Sequence, residues 1–395
     1  MPELARDVNL TVNRGITKMK PSAIRAFDME VSAIPGILKL TLGEPDFNTP
    51  EHVKAAAVAA IKNNDSHYST TRGKLALRQA ISKWIKRERG IDYSADDEIV
   101  VTIGATEALT ATVLAMFNPG DKVIVPTPVF SLYFPIVELA GATPVLVDTS
   151  NDGFVLTADR LEEEINRAGD GVKAVMLNYP TNPTGRNYSE QQLRELATVI
   201  KKHHLMAIAD EIYHTLTYDG VQPASLTTMI PERTVLIDGL SKSHAMTGYR
   251  LGFIAGPAAF IEQASKVHGF LVTTASDASQ AAAIEAYNNG DADPIKYREA
   301  YQRRRDYLRE ELSKIGFEFA VPNGAFYMFV KIPQQYGKDD WQFGLDLAHQ
   351  AKVGIIPGSA FGPGGEGYFR ISYAASDEDL HEFIRRLTAF MNNLN

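Results

Sequence analysis

The 395-residue chain predicts an α/β protein with a large, mostly parallel-sheet domain and a smaller α+β domain formed by both termini. Two observations carry this. Through the middle of the chain, short β-branched runs alternate with helical patterns, which is the sequence form of βαβ units. After Asn288-Asn289-Gly290-Asp291 the pattern changes to a long charged helix and then to strands separated by short turns. Taken in order, residues 1–45 hold one helix, Ala23–Ser32, and too little apolar material to fold alone, so they are assigned as an arm joining the C-terminal unit. Residues 46–290 form the large domain. Its strands are predicted at Lys122–Val125, Thr143–Val147, Lys173–Leu177, Leu205–Ala209, Thr234–Ile237 and Leu251–Ala255. Ser189 and Gln192 form a capping box that opens a helix between two of them. Residues 291–395 carry a helix over Tyr297–Lys314, strands over Phe317–Val321, Ala325–Val330 and Tyr368–Tyr373, a helix after Trp341 and a last helix from Asp377.

Composition excludes several function classes. With 45% hydrophobic and 22% charged residues the chain has an ordinary globular balance. Forty Lys+Arg against 48 Asp+Glu leave a net charge of −8, which argues against nucleic acid as a partner. The densest basic runs, Arg303–Arg305 and Lys201–His204, are read as solvated helix faces. No cysteine is present, so disulfides, thiolate metal sites and cysteine nucleophiles are excluded. The nine histidines fall at no metal-ligand spacing. The first 23 residues show no secretory leader, and no stretch approaches the about 20 apolar residues of a membrane span. A cytoplasmic location is expected. One G-x-G-x-x-G match, Gly362–Gly367, contains Pro363 and leads into a strand instead of opening a helix, so no nucleotide role is assigned to it.

The segment Gly239–Gly252, GLSKSHAMTGYRLG, directly follows a predicted strand. Its Lys242 therefore lies where parallel sheets bind ligands, although a lysine read alone is equally a surface residue in a polar turn. The run S-K-x-x-x-M-x-G-x-R-x-G resembles the cofactor-lysine motif of class I/II aminotransferases, the fold-type-I enzymes that use pyridoxal 5′-phosphate. Further signatures of that family stand in the same order. They are Gly43–Phe47 (GEPDF), Tyr68 with Gly73 and Leu77-Arg78, Gly104–Ala108 (GATEA), Asn178–Gly185 (NYPTNPTG), Ala209–Tyr213 (ADEIY) and Arg370–Ala374 (RISYA).

The resemblance implies a role for each residue, and chemistry explains the residue types. Lys242 would hold the cofactor aldehyde and then serve as base at the substrate Cα. Asp210 would keep the pyridine nitrogen protonated, where without the motif it could equally cap a turn. Tyr213 and Asn182 would hydrogen-bond the phenolic oxygen, although each could be a packing or turn residue. The phosphate would sit at a helix N-terminus on the N–H groups of Ala105 and Thr106, with Ser241 and Arg250 completing the cradle. Gly239 stands where many relatives carry a hydroxyl. Phe130 would stack on the ring. Tyr68 would cross to a neighbouring subunit's phosphate, which implies a homodimer.

For the substrate, Arg370 matches an α-carboxylate in planar, two-point fashion. Gly43 and Asn182 would help hold it, and the segment from Lys18 to Ile24 would close over it. Thr106 stands where aspartate-handling relatives often carry a lysine. The sequence resembles most the aromatic amino acid and N-acetyl-diaminopimelate aminotransferases of low-GC bacteria. The expectation is an aromatic donor with 2-oxoglutarate as acceptor, with N-acetyl-LL-diaminopimelate as the alternative. A carbon–sulfur lyase and a non-enzymatic cofactor-binding module are the weaker readings.

Overall fold

In the computed structural model, Ala5, Asp7 and residues 12–394 are described. Nine of the 23 N-terminal residues read as lacking a leader, residues 1–4, 6 and 8–11, lie outside them. A short strand β1 (Leu38–Lys39) follows the helix Ala23–Ser32, and seven strands then build one sheet. These are β2 (Ile99–Thr102), β3 (Lys122–Thr127), β4 (Thr143–Asp148), β5 (Val172–Asn178), β6 (Met206–Asp210), β7 (Thr234–Gly239) and β8 (Gly252–Ala255). They lie in the order β2-β8-β7-β6-β5-β3-β4. β8 alone runs antiparallel, against both β2 and β7. All six predicted strands of this sheet are present, and β2 is an addition.

Helices cover both faces of the sheet, so its strands are apolar without alternation. Along β3, Val123 and Val125 pack with Leu109 and Ile261 of the helices Gly104–Met116 and Ala258–Val272 on one face. Ile124 points the other way, onto Leu161 and Leu193 of the helices Ala158–Ala168 and Glu190–Lys202. The capping box forms as expected, with Ser189 Oγ accepting from Gln192 N–H at 3.2 Å and Gln192 Oε1 accepting from Ser189 N–H at 2.9 Å.

The C-terminal part contributes β9 (Phe319–Ala320), β10 (Tyr327–Lys331), β11 (Val353–Gly354), β12 (Ile356–Pro357) and β13 (Tyr368–Ser372). β9, β10, β13 and β12 form an antiparallel sheet, and β11 pairs in parallel with β1. Phe27 and Val31 of the N-terminal helix pack on Phe329 and Ile356. The long charged helix runs Asp293–Lys314, a turn longer than predicted, because Pro294 fits the first helical turn.

One sequence expectation is corrected here. Arg303–Arg305 is not a uniformly solvated face. Arg303 is exposed and Arg304 half-buried, but Arg305 is 1% exposed. Its guanidinium lies 4.9 Å from the Tyr218 ring centre and pairs with Asp219 at 2.7 Å. Consecutive helical positions turn by about 100°, so one arginine of three faces the core.

Candidate active site

Because β5, β6 and β7 are parallel, their C-terminal ends open on one edge, and there Asn178, Asp210 and the segment after Gly239 meet. The helix Gly104–Met116 starts at the same edge, after β2. A cavity of about 340 Å³ results. It is lined by eleven of the twelve residues singled out from the sequence: Gly43, Ala105, Thr106, Phe130, Asn182, Asp210, Tyr213, Ser241, Lys242, Arg250 and Arg370. Tyr68 is the exception, lying outside this cavity with 88% of its surface exposed.

Lys242 sits in the four-residue helix after β7, and its Nζ donates to the Gly43 carbonyl at 2.6 Å. Burial, helped by the positive charges of Arg250 and Arg370, lowers its amine to about 8. Asp210 closes β6 and is 4% exposed. Burial pushes its carboxyl up to about 6, although Tyr133 Oη donates to it at 2.6 Å and Ile212 N–H at 3.3 Å. A buried carboxylate held this way facing a cavity is a ready counter-charge for a cationic group.

The opposite corner is built for an anion. The first-turn N–H groups of the helix Gly104–Met116 have no intrahelical partners, and no side chain caps them. Arg250 takes a left-handed conformation (φ 50°) and donates to the Thr247 carbonyl at 3.0 Å. Its guanidinium approaches this helix end so closely that a Cβ on Gly104 would stand 2.8 Å from Nη2. Gly104 itself has φ +75°, a left-handed conformation that favours glycine there. Buried Ser241 adds a hydroxyl to the same cavity.

At the third corner, Arg370 is 2% exposed and lies over the Tyr327 ring at 4.7 Å and the Phe361 ring at 5.0 Å. It donates to Asn182 Oδ1 at 3.0 Å and to the Thr41 carbonyl, while its buried Nε has no partner among the described residues. Asn182 is itself fixed by its N–H to Asn178 Oδ1 at 2.9 Å. Of the segment expected to close over the site, Ile24 lines the cavity.

Sequence reasoning missed Tyr133 and Tyr327. Tyr133 stands one turn beyond Phe130, which is the signal that could have placed it in the same cavity. Tyr327 shares a 2.7 Å hydrogen bond with Tyr213 and packs its hydroxyl against Gly43. Behind the cavity, Arg89 is completely buried between Glu211 (2.8 Å) and Asp238 (2.5 Å). Glu211 also accepts from Tyr179 at 2.8 Å and from Ser225. Despite burial, Arg89 holds the Glu211 carboxyl below its ordinary range, whereas burial raises that of Asp238.

Pyridoxal 5′-phosphate fits the first two of these corners. The anion corner suits its phosphate, the buried carboxylate suits its ring nitrogen, and the lowered amine suits its aldehyde.

Comparison with known proteins agrees with this geometry. A family model described as aminotransferase class I and II matches residues 35–387. A Bacillus subtilis protein named probable N-acetyl-LL-diaminopimelate aminotransferase is 41% identical over 96% of this chain and 95% of its own. Aromatic-amino-acid aminotransferase 2 of Thermococcus litoralis is 36% identical over 93% and 95%. Among solved structures, aspartate aminotransferase from Thermus thermophilus with maleate superposes with a TM-score of 0.91 at 34% identity, covering 97% of this chain and all of that one.

Proposed function

The chain belongs to the class I and II aminotransferases, which use pyridoxal 5′-phosphate, and from that premise we propose that it is a cytoplasmic homodimer transferring the amino group of aromatic L-amino acids to 2-oxoglutarate through Lys242. The observation that carries the catalytic assignment is the meeting of Lys242, Asp210 and Arg370 on one cavity. The bound cofactor supplies an aldehyde that holds the amino group and an electron-poor ring that accepts the electron pair left at the substrate Cα.

The chain's own residues do the rest. Lys242 Nζ takes up the proton released at Cα. An amine lowered to about 8 has free base available near neutral pH. Asp210 presents its negative charge to the ring nitrogen, and Tyr133 keeps that carboxylate aimed. Ala105 and Thr106 N–H, Ser241 and Arg250 hold the phosphate. Phe130 covers the ring, and Tyr213 with Asn182 reaches the phenolic oxygen. Arg370, levelled by Asn182 and the Thr41 carbonyl, grips the α-carboxylate beside Gly43. Tyr68, 88% exposed, serves the partner's phosphate site.

The aromatic preference is supported by a cavity wall with Leu109, Phe130 and Tyr133 and by the neutral Thr106. The second reading, N-acetyl-LL-diaminopimelate as donor, is favoured by the name of the Bacillus subtilis relative. A single-turnover titration separates them, following the cofactor's absorbance on addition of phenylalanine, tyrosine, aspartate or N-acetyl-LL-diaminopimelate. Fast conversion by the aromatic donors is expected. Conversion by N-acetyl-LL-diaminopimelate alone moves the enzyme to the second reading, and conversion by none refutes both.

A further inference from the structure

We infer that His268 supports the anion corner as a positioning residue, cancelling the charge of Glu107 so that the helix end there stays open to a phosphate; this rests on the reading above that the cofactor's phosphate binds at that corner. Glu107 stands in the first turn of the helix Gly104–Met116 and accepts from the Ile103 N–H at 3.0 Å. A carboxylate here favours the helix but opposes any second anion brought to the same end, because both draw on one positive pole. Among the described residues no lysine or arginine pairs with it. Its ionisable partner is His268, whose Nδ1 lies 3.1 Å from Oε2 and 3.2 Å from Oε1.

His268 lies on the helix Ala258–Val272, on the buried face with Ile261 and Ala264, and is 0% exposed. A ring with two polar nitrogens is costly on an apolar face unless both are bonded. Nε2 faces the Thr71 carbonyl at 2.9 Å. A carbonyl only accepts, so Nε2 carries a hydrogen. A second hydrogen must lie between Nδ1 and Glu107, since a bare ring nitrogen and a bare carboxylate would repel at 3.1 Å. Whichever atom holds that hydrogen, the pair as a unit carries no net charge. Glu107 thereby keeps its bond to the Ile103 N–H without setting a negative charge against the N–H groups of Ala105 and Thr106 in the same turn.

The test measures Kd for pyridoxal 5′-phosphate and for pyridoxal, which lacks the phosphate, by equilibrium dialysis of the full-length enzyme, with the bound cofactor read by its absorbance. In His268→Gln the side chain keeps a hydrogen-bond donor but has no proton with which to cancel Glu107. Its Kd for pyridoxal 5′-phosphate is expected to rise on the order of tenfold, while that for pyridoxal stays within about twofold. Glu107→Gln alone should leave both values near those of wild type, and adding it to His268→Gln should restore the wild-type ratio. An unchanged ratio in His268→Gln overturns the inference, as does an equal loss for both ligands, the mark of packing damage, or a double variant that restores nothing. A tenfold gain in affinity for pyridoxal 5′-phosphate in Glu107→Gln also overturns it, by showing that the Glu107 charge was never cancelled, and this arm stands whether or not His268→Gln folds. Wild-type enzyme that binds pyridoxal 5′-phosphate no more tightly than pyridoxal would instead overturn the reading of the anion corner itself.

Discussion

Asp210→Asn should stabilise the cofactor-free protein while removing its activity, and the stabilisation should grow with pH. Burial raises the Asp210 carboxyl to about 6 from an ordinary 3.8. A raised carboxyl binds its proton more tightly in the folded state, so its contribution to stability is full below the unfolded value and is lost as pH climbs through the folded one. With these two values, wild type should lose about 2 kcal/mol to this group at pH 5 and about 3 kcal/mol at pH 8. The amide introduced by Asp210→Asn ionises at neither pH. Urea unfolding of the two cofactor-free proteins should therefore show the variant's advantage widening by about 1 kcal/mol between pH 5 and pH 8. Adding pyridoxal 5′-phosphate should reverse the order, because only the carboxylate gains a counter-charge. A gap that stays constant with pH would mean that Asp210 ionises as in water, and the reasoning that it is a poised counter-charge would fail.

Lys242→Ala should leave the protein folded and abolish turnover, and in the wild-type protein the rate of cofactor loading should rise as pH passes about 8, where the amine loses its proton; an inflection near the ordinary 10.5 would contradict the burial argument. Arg370→Ala should raise KM for every amino acid by on the order of a hundredfold, since each presents the same α-carboxylate. A loss confined to one side-chain class in steady-state kinetics would show the clamp to be misplaced. Arg89→Met should cost about 3–5 kcal/mol in urea unfolding, because Glu211 and Asp238 would be left buried without their cation. A loss under about 1 kcal/mol would show that the pair is easily replaced by apolar packing.

What could be read from the sequence follows the range of the interactions concerned. The six strands foreseen in the large sheet are continuous apolar runs, and such runs announce themselves because both sheet faces are covered. β2 was not foreseen, although it is as short and as buried as β8, against which it pairs with Thr102 opposite Gly252. Arg305 was legible but was read as part of a triplet. Tyr301, Arg305, Leu308 and Leu312 repeat at helical spacing, and all four are buried. The cavity residues singled out from the sequence stand mostly within contiguous motifs. Their supporting partners are not, because Tyr133 reaches Asp210 across 77 positions and Tyr327 reaches Tyr213 across 114. A motif thus records residues that gather on the cavity, whereas the residues that hold them in place, such as Tyr133 and Tyr327, are chosen by the fold.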